Sequence, residues 1–219
     1  MKLKENSHIV TADGQTVGQV DRVVMDPRTK EVTHVVVRKG LLFTEDKVVP
    51  MNLISSVVDD QVLLREDAGD LESLPDYEET SYTPLDEYEQ AQAPAGTYVP
   101  PVYWYPGVGW GASPVDYLGL QYVARTKENI PEGTIALEEG AKVISADGQH
   151  VGNVEEVITD PQANRATHFV ISQGMLLKTR KLLPTAWISD LTRDEVHLAV
   201  GSHLLETLPE YHPQAENES

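Results

Sequence analysis

Apolar residues in this chain fall in short runs, partly alternating with polar ones, and never hold the 3.6-residue spacing of a long amphipathic helix. Val20-Asp21-Arg22-Val23-Val24 and Val32-Thr33-His34-Val35-Val36-Val37 are rich in β-branched residues and read as strands. Turn residues bound them. Asp13-Gly14 supplies a glycine that can take positive φ, and Asp26-Pro27 ends a strand because proline fixes φ and cannot donate to the ladder. Asp59-Asp60-Gln61 separates a last pair of strands. Several short strands at close spacing predict an all-β fold, a small barrel or a sandwich.

The whole pattern occurs twice. Residues 8–77 align without a gap to 142–211, and roughly 27 of the 70 positions are identical. Asp13-Gly14 recurs as Asp147-Gly148, Gly18 as Gly152, Asp26-Pro27 as Asp160-Pro161, Thr33-His34 as Thr167-His168, and Pro50 as Pro184. The second copy's strands include Val154-Glu155-Glu156-Val157-Ile158 and Ala166-Thr167-His168-Phe169-Val170-Ile171. Leu3 falls opposite Leu137, so Met1-Leu3 and Ile135-Leu137 are expected to be matching first strands. The predicted organisation is a first barrel domain over 1–77, a linker over 78–134, a second barrel domain over 135–212 and a disordered tail over 213–219. Closing a sheet into a barrel removes its edges, which suits a module of this size with a small core.

The linker changes the charge picture. Residues 78–140 carry ten acidic side chains against Arg125 and Lys127, within a chain of net charge −18. Such a surface repels nucleic-acid phosphates and anionic lipid heads, and it favours cations or basic partners. The linker also concentrates aromatic residues, most densely in Val99–Gly111, where proline and glycine exclude a regular helix or a central strand. Its aromatic residues either fold back over apolar barrel surface or anchor a partner, and Tyr103, Trp104, Tyr105 and Trp110 are the candidate partner-binding residues.

Candidate chemistry is sparse. There is no cysteine, which excludes disulfides, thiolate catalysis and cysteine-ligated metals. The first residues lack the apolar stretch of a signal peptide and no apolar run reaches membrane-spanning length, so a soluble cytoplasmic protein is expected. Of the seven histidines only His34 and His168 recur between copies, and with no second ligand at metal spacing they read as hydrogen-bonded structural residues. Asp59-Asp60 and Glu155-Glu156 read as a turn and an exposed strand edge. Lys178, Arg180 and Lys181 read as a solvated loop cluster particular to the second copy. No phosphate-binding loop or nucleophile elbow is present, and no catalytic residue, metal or cofactor is expected.

The ordered anchors are Asp-Gly-x-x-Val-Gly-x-Val, Asp-Pro, Thr-His-Val-Val-Val, Gly40, Val48-Val49-Pro50, Ile54 and Val62-x-Leu64. Together they resemble the PRC-barrel family over both repeats. That family includes the barrel of the photosynthetic reaction-centre H subunit and a domain of a ribosome maturation factor. The resemblance implies two tandem six-stranded β-barrels used for protein–protein contact, joined here by an irregular aromatic and acidic linker, with no catalytic residues to carry over. Lys30 departs from the family, which often has glycine at this turn. If the turn needs positive φ, Lys30 costs about 1 kcal/mol, and Asn164 tolerates it better. The expected function is a non-enzymatic adaptor or scaffold for a protein partner. The alternatives are an accessory factor in ribosome maturation acting through a protein, and a peripheral subunit of a membrane complex. Duplication further predicts that the two barrels pack on each other as a homodimer's halves would, and it leaves a true homodimer open.

Overall fold

A computed structural model describes residues 1–38, 45–69, 71–84, 122–173 and 179–212. Met1–Tyr77 together with Asn129–Ser219 make one compact unit and Glu78–Glu128 another. In the first unit β-branched runs form strands β1 (Lys2–Lys4), β2 (His8–Val10), β3 (Thr16–Met25), β4 (Val32–Arg38), β5 (Lys47–Pro50), β6 (Ile54–Val58) and β7 (Gln61–Leu64). In the second unit β8 (Glu78–Pro84) pairs antiparallel with β9 (Tyr122–Glu128). The first unit resumes with β10 (Ile135–Glu138), β11 (Lys142–Ile144), β12 (His150–Asp160), β13 (Arg165–Gln173), β14 (Thr179–Pro184), β15 (Ile188–Leu191) and β16 (Glu195–Leu198).

Two equivalent sheets result, ordered β5-β4-β3-β2-β7-β6 and β14-β13-β12-β11-β16-β15. Among the described residues no backbone ladder joins β5 to β6 or β14 to β15, so hydrogen bonds between them close neither barrel. Each sheet holds six strands of its own repeat and a seventh from the other. β1 pairs with β12, placing Leu3 opposite Val157, and β10 pairs with β3, placing Leu137 opposite Val23. Both exchanges obey the 134-residue shift that relates residues 8–77 to 142–211, so the repeats meet about an internal pseudo-two-fold axis. The hairpin tips obey it too. Val32 N–H donates to Asn164 O at 2.7 Å, Ala166 N–H donates to Lys30 O at 2.8 Å, and Glu31 bridges Arg165. One continuous apolar cluster accordingly contains Leu3, Val23, Val35 and Met25 of the first repeat with Leu137, Val157, Phe169 and Ile171 of the second.

The tight turn at each tip does need left-handed backbone: φ is 62° at Lys30 and 49° at Asn164. Lys30 is buried there, its ammonium donating to Pro27 O, so a local hydrogen bond accompanies the unfavourable backbone angle.

Four readings of the sequence are corrected. The linker is not irregular at its ends, because Thr80-Ser81-Tyr82-Thr83 and Tyr122-Val123-Ala124 are β-prone and seven residue pairs lie in register across β8 and β9. Glu155 and Glu156 do not lie on an exposed edge: β12 is bordered on both sides, Glu156 is buried opposite Lys4, and Glu155 accepts from Arg180. The Lys178, Arg180, Lys181 group is not a solvated loop cluster either. Lys178 lies outside the described residues, Arg180 is on β14, and Lys181 is buried with the same role as its equivalent Lys47. Lys47 Nζ donates to Glu72 O and Leu74 O, both at 2.9 Å, and Lys181 Nζ donates to Leu205 O at 2.7 Å and Glu206 O at 3.2 Å. Each lysine thus ties a short turn or helix, Leu71–Ser73 or Ser202–Glu206, to its barrel. Lastly, His34 Nδ1 is buried with no hydrogen-bond partner among the described residues, so the hydrogen bond expected of this histidine is missing at that nitrogen. Burial pushes its pKa below the usual histidine value.

Ser7 offers a small test of this accounting. It is 2% exposed and its hydroxyl has no partner among the described residues, whereas the equivalent residue of the second repeat is Ala141, also buried. Ser7→Ala removes a desolvated, unpaired hydroxyl and is expected to leave the protein as stable or up to about 1 kcal/mol more stable in urea unfolding.

Candidate interaction surface

Tyr103, Trp104, Tyr105 and Trp110 lie outside the described residues. What the described residues bring together is a cluster of charge at the joint between the repeats. Each exchanged strand runs into a glutamate, Glu5 after β1 and Glu139 after β10, and then into a left-handed residue that turns the chain back, Asn6 at φ 63° and Gly140 at φ 81°. Both glutamates line the same cleft, close enough for the charge of one to act on the other.

The remaining charges of the joint come from the long central strands and the strands beside them. Asp21 on β3 is equivalent to Glu155 on β12. Arg38 of β4 spans Asp21 and Glu5, its Nη2 donating to Glu5 Oε1 at 3.0 Å. Arg180 of β14 donates to Glu155 Oε2 at 2.6 Å. Arg22 reaches Asp21 at 3.1 Å and Glu138 at 3.3 Å, and it lies over the Tyr77 ring. Glu5, Asp21 and Glu155 thus each meet an arginine. Glu139 has Lys4 nearby but also the charges of Glu5 and Glu155.

Its pKa is raised to about 7. Withdrawal of the carboxyl from water contributes most, followed by the Glu5 charge, with Lys4 opposing, and then by Glu155 and the hydrogen bond to Glu5. Glu139 is exposed as a residue, so desolvation is incomplete, but the two like charges act in the same direction.

Beside this pair lies a cleft of about 700 Å³ whose polar rim includes Glu5, Glu139, Glu155, Glu206, Asn153 and Gln149. Gly152 shapes its wall: at φ 149° a Cβ there would meet Ser172 O at 2.6 Å, so only glycine lets β12 come this close to β13. Carboxylates and amides around an open cleft attract ammonium and guanidinium groups by charge and accept their hydrogen bonds. Among the described residues no group of three His, Asp or Glu side chains has metal-holding geometry, and no helix is long and apolar enough to cross a membrane.

The sequence analysis singles out neither Glu5 nor Glu139. The signal was available: Glu5 aligns with Glu139 once the 134-residue shift is carried back past residue 8. The model of the PRC-barrel domain matches residues 5–71 and 139–201, more than half of the chain in two segments. No curated protein matches the chain.

Proposed function

Because the chain belongs to the PRC-barrel domain family, whose domains occur in protein-interaction modules, we propose that it is a non-enzymatic adaptor that holds a protein partner against the joint between its two repeats. The observation that supports this reading is the acidic cleft beside Glu5 and Glu139, on a chain of net charge −18. A cleft of that polarity fits a partner presenting lysine or arginine side chains. The overall charge disfavours direct contact with a nucleic-acid backbone. Tyr103, Trp104, Tyr105 and Trp110 form a second contact in this proposal, with aromatic anchors adding apolar area to an electrostatic first encounter.

Crosslinking and affinity capture of the tagged protein from its own cells test the proposal, with a Glu155→Gln/Glu206→Gln variant and a Trp104→Ala/Trp110→Ala variant alongside. The expected result is one reproducible basic partner. Its recovery drops in both variants and, for the wild type, weakens as salt is raised. Equal recovery on all three proteins would place the interface elsewhere. Turnover of a metabolite by the purified protein would end the adaptor reading altogether.

A further inference from the structure

Glu5 and Glu139 line one cleft where the two repeats are joined. β1 and β10 are the exchanged strands, and the two glutamates immediately follow them. We propose that this carboxyl pair makes the joint pH-responsive: one proton held between the two groups keeps the exchanged strands seated, and its loss sets like charges across the axis and loosens them.

The surroundings favour this division of roles. Glu5 is ion-paired with Arg38 at 3.0 Å, and Glu139 is the group whose carboxyl holds the proton. Arg38 is shared with Asp21, and Arg180 is engaged with Glu155, so neither guanidinium is dedicated to Glu139. Lys4 is the cation that acts on Glu139, and it also lies 3.6 Å from Asp60. Arg22 and Glu138 pair with each other, Glu156 is buried on the neighbouring strand, and His150 and Glu206 lie on the cleft rim. The sequence also separates the two sides: the residue equivalent to Arg38 in the second repeat is Ser172, so Glu139 has no guanidinium in the place where Glu5 has one.

The sign follows by linkage. A carboxyl that binds its proton more tightly folded than unfolded stabilises the fold fully below its unfolded value, and that contribution is lost as pH rises through the folded value. With Glu139 raised from 4.5 to about 7, most of the loss falls between roughly pH 4.5 and pH 7. His34 acts in the opposite sense. Its lowered pKa makes stability fall as pH drops below the ordinary histidine value, so the two groups give slopes of opposite sign.

Amide hydrogen exchange of β1 and β10 in the full chain, followed from pH 5.5 to 8.5 at low salt and corrected for the intrinsic rate, reads the joint directly. Exchange in these strands is expected to rise on the order of tenfold across the window, while the β4 and β13 amides change little. Glu139→Gln, at an exposed position where folding is not at risk, is expected to flatten the rise, and Glu5→Gln to shift it to lower pH. Carboxyl ¹³C titration of Glu139 should show a midpoint near 7. A wild-type joint that is flat over this range, a Glu139→Gln protein that keeps the full rise, or a Glu139 midpoint in the ordinary glutamate range would each overturn the proposal.

Discussion

Residues 1–77 produced alone are expected to run as a strand-exchanged dimer at about twice the fragment mass in light scattering. In the full chain the edge of β3 from Arg22 to Met25 is completed by β10, and Leu3 is buried against the second repeat. A lone first repeat loses both. Exposing a buried leucine costs about 2–3 kcal/mol, and unpaired strand edges add to that, which is a large share of the stability of a domain this small. Two copies restore both features by trading β1, because the contact across the internal axis already has the symmetry a homodimer requires. The melting temperature of the fragment should therefore rise with concentration, whereas that of the full chain should not. A stable monomer with protected β1 amides would show that β1 folds back onto its own sheet and that the exchange is dispensable.

Lys181→Met is expected to cost about 3 kcal/mol in urea unfolding and to release Ser202–Glu206 from its barrel, with a similar cost for Lys47→Met. Methionine keeps most of the apolar stem, so the loss reports carbonyl oxygens deprived of their donor. Leu205 O and Glu206 O accept from Lys181, and Glu72 O and Leu74 O from Lys47, which also reaches Asp76 at 2.7 Å. A cation at this position also offsets the partial negative charge where the turn or helix ends. Faster exchange should appear around Leu205 in the first variant and around Leu71 in the second. A loss below about 0.5 kcal/mol, without local release, would mean that water replaces the ammonium at little cost.

Most strands of the repeats are legible because β-branched runs between Asp-Gly and Asp-Pro leave few other conformations open. The positive φ at Lys30 and Asn164 is also foreseeable, since only the length and position of that turn are involved. Strand exchange is not legible. The pattern Met1-Lys2-Leu3 says that a strand is present, but burial against Val157 or against Val23 satisfies it equally, and the choice rests on long-range geometry. The buried lysines were obscured for a different reason. Lys181 was grouped with its sequence neighbours, although the column linking it to Lys47 holds the informative comparison. The axial glutamates fall between these cases, being aligned by the repeat but given meaning only by the exchange that brings them together.

The exchange has a further consequence. In a dimer of identical chains every substitution at the axis appears twice, and the contact dissolves on dilution. Carrying both halves on one polypeptide fixes the local concentration of each strand for its partner sheet, so the contact persists at any cellular abundance. It also releases the halves from having to match. Arg22 faces the axis from one side where Glu156 stands on the other, and Arg38 where Ser172 does. A fold built on symmetry can in this way present a single lopsided surface, open to a partner that has no symmetry of its own.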